Sequence, residues 1–241
     1  MSTCIITGAG SGIGQATAIE VSKKEMFKNI ILIGHTEESL KVTKRMAENP
    51  NVNIELIVQD LSVLEELPEL IGKIFKTHGS IDCLMNIAGF TDPQPLLSTS
   101  LTSISYTYTV NVFATFLMIR ECAKYMKQNP NGAKILNVAS TAGITPRPGW
   151  LSYASSKAAV ISMSQTLTEE LAEYNIKVYC ISPGRCATKL RQRLAPDEDP
   201  STIMQPQEVG EIICRLIDEN ENCLDGQNII IRKRIHTGKR E

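Results

Sequence analysis

A tyrosine and a lysine four residues apart form the most reactive pair in this chain of 241 residues. On a helix this spacing puts Tyr153 and Lys157 on one face. An ammonium group beside a phenol favours the phenolate, so we expect Lys157 to lower the pKa of Tyr153 towards the range where tyrosine exchanges protons. Such pairs also occur by chance on helix surfaces. Ser140, just after an apolar run, adds a hydroxyl able to bond a substrate oxygen, so the three together predict acid/base chemistry.

A glycine-rich turn follows the first apolar run and reads TGAGSGIG over residues 7–14. Its spacing differs from the common dinucleotide pattern GxGxxG, because the key glycines are Gly8, Gly12 and Gly14. Glycines let the backbone approach a pyrophosphate closely, and a helix starting near Ile13 directs unpaired N–H groups and its positive dipole end at the phosphates. The turn predicts phosphate contacts at Gly8, Ser11, Gly12, Ile13 and Gly14.

Short β-branched apolar runs alternate with longer amphipathic stretches along the chain. The predicted strands are 3–7, 29–33, 52–58, 81–86, 134–138, 177–182 and 227–231. The predicted helices are 13–26, 37–49, 63–78, 102–128, 150–174 and 206–220. Runs that are apolar on both faces suit parallel strands covered by helices. We therefore expect an α/β fold with a single doubly wound, Rossmann-type parallel sheet of about seven strands and helices on both faces.

The alternation continues without a linker, which predicts one domain over residues 1–231, followed by a basic flexible tail at 232–241. Two irregular stretches, 87–101 and 183–201, follow the carboxyl ends of predicted strands, where open α/β sheets bind ligands. Long loops at that edge often act as lids.

Cations are concentrated around the second irregular stretch, with Arg185, Arg191 and Arg193 inside it and Arg147 in the loop after Ser140. Guanidinium groups bind phosphate and carboxylate in bidentate fashion. One hypothesis is an anionic substrate such as a sugar phosphate or a keto acid. The alternative is a solvated lid face whose arginines pair with acidic residues 197–199. Trp150 is expected to wall the substrate site or to pack in the core.

The glycine turn, the serine and the YxxxK pair resemble the classical short-chain dehydrogenases/reductases, and the resemblance covers residues 2 to about 231. It implies an enzyme that transfers hydride between NAD(P) and a carbonyl or secondary alcohol. Tyr153 would then be the acid/base, Lys157 would contact the nicotinamide ribose, and Ser140 would orient the substrate oxygen. The resemblance implies a fourth catalytic residue, Asn111, which would hold a water against Lys157.

Further cofactor contacts that the resemblance implies are Asp60, Leu61, Asn86, Ala88, Gly89, Tyr153, Lys157, Pro183, Gly184 and Thr188. Asp60 would meet the adenine ring, with a helix-capping role as the alternative. Ile87 departs from the family's NNAG pattern, so side-chain bonding at that position is in doubt. The backbone after Pro183 and the hydroxyl of Thr188 would hold the nicotinamide carboxamide.

The end of the second predicted strand bears on the choice between NAD and NADP. NAD enzymes usually place a carboxylate there, and Gly34 occupies that position. His35 and Thr36 could accept a 2′-phosphate, and Ser11 stands where some NADP-dependent members carry a basic residue. We therefore expect NADP(H) to be favoured over NAD(H).

Bulk composition narrows the possible partners. A net charge of −1 gives no reason to expect nucleic acid, and three separated histidines with seven scattered cysteines predict neither a metal site nor a disulfide framework. Cysteine usage and the absence of a signal or membrane-spanning stretch predict a cytoplasmic protein with no membrane partner. Proteins of the resembled family pair the two long helices at 102–128 and 150–174, so we expect a homodimer or homotetramer acting on a small molecule.

Two other functions stay open at the level of sequence. The same fold hosts epimerases and dehydratases, and also binding proteins that sense NADP(H) without catalysis. Such binding proteins commonly lose the tyrosine or the lysine. Retention of Ser140, Tyr153 and Lys157 favours carbonyl/alcohol chemistry over both.

Overall fold

Seven strands carry the fold of the computed structural model, which describes residues 2–233. They are β1 (Thr3–Thr7), β2 (Asn29–Gly34), β3 (Asn53–Val58), β4 (Cys83–Asn86), β5 (Ala133–Val138), β6 (Ile176–Pro183) and β7 (Asn228–Ile231). They form one parallel sheet in the order β3-β2-β1-β4-β5-β6-β7. The predicted doubly wound α/β sheet is confirmed. Of the tail predicted at 232–241, all but the first two residues lie outside the described part.

Helices cover both faces of the sheet. They are α1 (Gly12–Lys23), α2 (Glu37–Met46), α3 (Leu67–His78), α4 (Leu101–Tyr108), α5 (Ala114–Met126), α6 (Leu151–Leu171), α7 (Lys189–Leu194) and α8 (Pro206–Leu216). One apolar core joins the sheet to α1, α2 and α8, and the other joins it to α3, α5 and α6. Successive strand residues pack into opposite cores, as Ile5 and Ile6 do. The strands are apolar throughout because both of their faces are covered.

The helix predicted at 102–128 is confirmed over residues 101–126, but its middle is not regular α-helix. A π-helical turn, Thr109–Phe113, separates α4 from α5 and contains Asn111. The side chain of Asn111 bonds the backbone of Phe90 on the neighbouring loop, with its amide donating to the carbonyl at 2.9 Å and its oxygen accepting from the N–H at 2.7 Å. A widened turn is a common way to place a side chain at a functional site.

The stretch at 183–201 was expected to be irregular, yet it contains the short helix α7. The hydroxyl of Thr188 caps this helix by accepting from the N–H of Arg191 at 3.1 Å. A backbone bridge between Cys186 and Met204 joins the two ends of the segment that contains α7. We call residues 187–203 the lid segment.

The winding direction of the chain reverses between β1 and β4, which are neighbours in the sheet. The loops that leave their carboxyl ends therefore diverge and open a crevice, as in other open α/β sheets. No helix within residues 2–233 has the length and apolarity needed to cross a membrane.

Candidate active site

A cleft of about 480 Å³ lies at the carboxyl edge of the sheet, over the reversal between β1 and β4. Twenty of the residues singled out from the sequence line it: Gly8, Ser11, Gly12, Ile13, Gly14, His35, Asp60, Leu61, Ala88, Gly89, Ser140, Arg147, Trp150, Tyr153, Lys157, Pro183, Gly184, Arg185, Thr188 and Arg191. The glycine turn and the Ser–Tyr–Lys set thus share one cleft. Four others, Thr36, Asn86, Asn111 and Arg193, do not line it.

The glycine turn is packed so tightly that side chains would not fit. A Cβ on Gly14 would lie 2.2 Å from the carbonyl oxygen of Gly8, and a Cβ on Gly8 would lie 2.8 Å from Cα of Ala88. Gly8 and Gly12 also have positive φ angles of 67° and 55°. Ser11 is the N-cap of α1, but its side chain makes no capping bond, so first-turn N–H groups stay available for an anion. This cradle fits the pyrophosphate of a dinucleotide.

Thr7, which sequence reasoning missed, fixes the turn to the next loop of the cleft. Its hydroxyl accepts from the N–H groups of Ile87 and Ala88 at 3.0 and 3.1 Å and faces the carbonyl of Met85 at 3.4 Å. One buried hydroxyl thereby holds the loop after β4 against the end of β1. The signal was a threonine directly before the first glycine.

Ser140, Tyr153 and Lys157 converge beside this cradle. Ser140 follows β5 and its oxygen accepts from the N–H of Ala142 at 3.1 Å, which leaves its proton free to bond Tyr153. Tyr153 and Lys157 lie on α6 and are 6% and 4% exposed. The Lys157 nitrogen lies 6.0 Å from the centre of the Tyr153 ring and donates to the carbonyl of Val138 at 2.8 Å.

The expected lowering of the Tyr153 pKa is wrong in its net direction. Burial raises the pKa of Tyr153, and this outweighs the lowering by the Ser140 hydrogen bond and by the Arg191 charge. Burial also lowers the pKa of Lys157 to about 8. Both pKa shifts have the same physical cause, because burial removes water from the charged form of each group. The Lys157 ammonium points at the backbone carbonyl of Val138. Burial thus favours the protonated phenol at Tyr153.

Asn111 is fully buried behind the cleft. Besides its two bonds to Phe90, its amide donates to the hydroxyl of Ser156 at 3.0 Å. A Cβ added to Gly89 would be 3.6 Å from the Asn111 oxygen and 3.5 Å from the Lys157 nitrogen, so the two groups flank one small space. The role expected for Asn111, to hold a water against Lys157, stays a prediction.

Asn86 and Thr36 make other contacts than those expected. The Asn86 amide donates to the Asn137 side chain at 2.9 Å, which in turn donates to Ser164, so these side chains are engaged inside the sheet. Parallel register places Asn86 directly opposite Asn137, which explains this direction. Thr36 is exposed and its hydroxyl bonds Ser39 at 2.8 Å.

The part of the cleft beside the ends of β2 and β3 contains a His–Asp pair. His35 Nε2 lies 3.7 Å from Asp60 Oδ2. The other oxygen of Asp60 accepts from the N–H and the hydroxyl of Ser62, both at 2.8 Å, and the backbone bond is the main cause that holds the pKa of Asp60 low. Asp60 therefore braces the turn after β3 and lines the cleft. The helix-capping alternative is wrong, because the two helical segments that follow have Val63 and Glu66 at their N-caps.

Glu198 forms ion pairs with two arginines in and beside the lid segment. Its carboxylate accepts a bidentate bond from Arg191, at 2.6 Å from Nε and 2.9 Å from Nη2, and a third bond from Arg185 at 3.1 Å. This matches the alternative in which lid arginines pair with acidic residues. Arg193 does not line the cleft, because it lies two positions after Arg191 and so about 200° further around the helix. Within residues 2–233 the side chain of Arg147 has no ion-pair partner.

Several residues of the cleft were missed by sequence reasoning. They are Val110 and Tyr106 before Asn111, Cys186 before the lid segment, and Leu190 and Leu194 on α7. Their placement depends on the π-helical turn and on α7, for which the sequence pattern carried no signal. In the part of the chain that the structure describes, no three His, Cys, Asp or Glu side chains come together to hold a metal ion.

The fold and the cleft are those of a dinucleotide-binding α/β protein. Residues 2–199 match the family described as short chain dehydrogenase. The 3-oxoacyl-(acyl-carrier-protein) reductase FabG of Thermotoga maritima is 31% identical over 235 residues, which covers 94% of each chain. The solved structure described as ElxO with NADP bound is 26% identical, covers 95% of this chain and 96% of its own, and superposes with a TM-score of 0.85.

A structure described as NAD⁺-bound xylitol dehydrogenase is 25% identical, with a TM-score of 0.83 over 96% of this chain and 97% of its own. The chain belongs to the short-chain dehydrogenase family. It is an NAD(P)-dependent oxidoreductase of the class that acts on alcohol and carbonyl groups.

Proposed function

We propose that residues 1–231 form one catalytic domain that reduces a carbonyl group or oxidises a secondary alcohol, with Tyr153 exchanging the proton at the substrate oxygen. One observation carries the proposal: Ser140, Tyr153 and Lys157 share a cleft with the glycine cradle. The adjacency supports carbonyl/alcohol chemistry over cofactor sensing alone, because a sensor has no need of a buried acid beside its cofactor.

The residues act in distinct roles. A nicotinamide bound in the cleft supplies or accepts the hydride. Burial raises the pKa of Tyr153, so the phenol carries the proton that a carbonyl oxygen needs on reduction. Ser140 has its own proton free to donate, and it holds the substrate oxygen near Tyr153. Lys157 is fixed at the wall of the cleft by its bond to the carbonyl of Val138, and its proposed role is to contact the nicotinamide ribose.

NADP(H) is the proposed preference over NAD(H). In its support, Gly34 offers no carboxylate to repel a 2′-phosphate, and a Cβ at this position would lie 2.9 Å from Leu40. His35 beside Asp60 offers a protonatable partner at the same place. Titration of the protein with NADP⁺ and NAD⁺, followed by calorimetry, tests this. We expect the lower dissociation constant for NADP⁺, and a preference of about tenfold for NAD⁺ would overturn the proposal.

An anionic substrate, such as a sugar phosphate or a keto acid, is proposed on the charge of the cleft mouth. Arg185 and Arg191 share one carboxylate, and Arg147 lines the cleft without an ion-pair partner among residues 2–233. The mouth therefore keeps excess positive charge. Arg147→Ala should raise KM for an anionic substrate by about tenfold, with KM for neutral ketones unchanged. Arg193→Ala, on the lid segment but outside the cleft, is the matched control.

Self-association is proposed through the outer face of α5. Phe116 on this face is 45% exposed and contacts Arg120, and Phe113, in the π-helical turn just before α5, is 49% exposed. Apolar side chains of this size on a helix surface favour a symmetric contact with a second copy. Sedimentation should give a dimer or tetramer, and Phe116→Glu should shift it towards the monomer. A monomeric wild-type protein would overturn this proposal.

The function is tested by a substrate screen. Purified protein with NADPH is mixed with sugar phosphates, keto acids and neutral ketones, and the absorbance of the reduced nicotinamide is followed. We expect oxidation of NADPH with at least one compound and none in the Tyr153→Phe variant. NADPH binding with no turnover across the panel would favour a sensing role instead.

A further inference from the structure

The lid segment is held at two places. At its base, Met204 donates to the carbonyl of Arg185 at 3.2 Å and Ala187 donates to the carbonyl of Met204 at 2.8 Å. Nearer its tip, Glu198 binds Arg191 of α7 through both carboxylate oxygens. The Arg191 and Glu198 side chains are only 18% and 15% exposed, so this pair is more shielded from water than an ordinary surface ion pair.

Arg191 also contacts the helix that carries Tyr153. Its guanidinium carbon lies 5.5 Å from the centre of the Trp150 ring, within the range of a cation–π contact. Trp150 immediately precedes α6, three residues before Tyr153. Backbone pairing of Trp150 with Gln94 fixes it to the loop after β4 as well. The chain Glu198–Arg191–Trp150 therefore joins the lid segment to the start of the catalytic helix.

We propose that Arg191 is a positioning residue: held by Glu198 and stacked on Trp150, its guanidinium holds the lid segment over the cleft and fixes the start of the helix that carries Tyr153. The proposal rests on the proposed acid/base role of Tyr153.

The charges around Tyr153 support this assignment. The Arg191 charge lowers the pKa of Tyr153 against the effect of burial, whereas the Lys157 ammonium is directed at Val138. The other charged or titratable groups that line the same cleft are His35, Asp60, Tyr106, Arg147, Lys157, Arg185 and Lys189. Glu198 does not line the cleft, but it binds Arg185 and Arg191. Burial raises the pKa of Cys186 to about 12, so this thiol brings no charge. Opening of the lid segment would remove the guanidinium from Tyr153 and make the phenol a weaker acid.

The test reads the titration of Tyr153 without a substrate. Tyrosinate absorbance is recorded immediately after pH jumps, and the curve of each protein is subtracted from that of the same protein carrying Tyr153→Phe. We expect the Tyr153 midpoint to lie at higher pH in Arg191→Gln and in Arg191→Met than in the wild type. Arg193→Gln, on the same helix but outside the cleft, should keep the wild-type midpoint.

The emission of Trp150 gives a second readout, because it is the one tryptophan in the chain. Arg191→Gln and Glu198→Gln should change its intensity in the same direction, and Arg193→Gln should not. Superimposable Tyr153 titrations in the wild type and both neutral Arg191 variants would overturn the proposal, as would an equal shift in Arg193→Gln. Retained turnover in Tyr153→Phe would instead refute the proposed function, so the two failures are distinguishable.

Discussion

The side-chain nitrogen of Lys157 donates a 2.8 Å hydrogen bond to the carbonyl oxygen of Val138. This bond ties the catalytic helix α6 to the last residue of β5, two residues before Ser140. It places a buried ammonium group where burial lowers the pKa of Lys157 to about 8. Burial of an ammonium group costs hydration, so a lysine at this position points to a function in the cleft rather than to a contribution to stability.

Lys157→Met should remove a pH dependence of stability. In the wild type the folded-state pKa of Lys157, about 8, lies below its ordinary value, so between these two pH values the unfolded chain binds more protons than the folded one. The free energy of unfolding of the wild type should thus rise with pH from about 8 upwards relative to Lys157→Met, by up to about 3 kcal/mol. Urea unfolding at a series of pH values measures this. Parallel pH curves for the two proteins would contradict a buried ammonium.

Gly14→Ala should lower cofactor affinity by at least about tenfold, because the new methyl group would stand 2.2 Å from the Gly8 carbonyl and displace the cradle. Fluorescence titration with NADPH gives the dissociation constant. Gly72→Ala in α3 is the matched control, since its methyl group would meet only Tyr125 at an ordinary 3.4 Å. Wild-type affinity in a folded Gly14→Ala protein would show that the turn is not the phosphate site.

Ser140→Ala should lower kcat/KM by roughly 10- to 100-fold through the loss of one hydrogen bond to the substrate oxygen. The Ser140 bond also lowers the pKa of Tyr153, so the variant should shift the rising limb of alcohol oxidation to higher pH. Ser155→Ala removes a hydroxyl of α6 that bonds the carbonyl of Leu151 and should change neither quantity. An unshifted pH profile of alcohol oxidation in Ser140→Ala would show that Ser140 does not affect the pKa of Tyr153.

The sheet and the cradle could be predicted from sequence, because both depend on local patterns. Apolar runs of strand length recur between amphipathic stretches, and glycines follow the first run at close intervals. The π-helical turn at Thr109–Phe113 could not be predicted, since one wider turn hardly disturbs the apolar period of a long helix. The six residues of α7 are also too few to show a period.

The direction of individual side chains was the second feature that could not be predicted from the sequence. Spacing placed Tyr153 beside Lys157, but only the fold directs the lysine to Val138 and buries both groups. Motif matching assigned Asn86 to the cofactor, and strand register directs its side chain to Asn137. The cofactor contact at Asn86 stays a prediction. Likewise, the sequence did not distinguish Arg191 from Arg193. The two residues lie about half a helical turn apart on α7, and only Arg191 lines the cleft.

Replacement of the Tyr153 hydroxyl tests the central claim most directly. The most readily reduced compound of the substrate screen is assayed with the wild type, with Tyr153→Phe, and with Tyr174→Phe as the control at an exposed tyrosine. The account predicts that kcat falls by about 10²- to 10⁴-fold in Tyr153→Phe alone, with the dissociation constant for NADPH unchanged. A Tyr153→Phe protein that binds NADPH and turns over at the wild-type rate would contradict it.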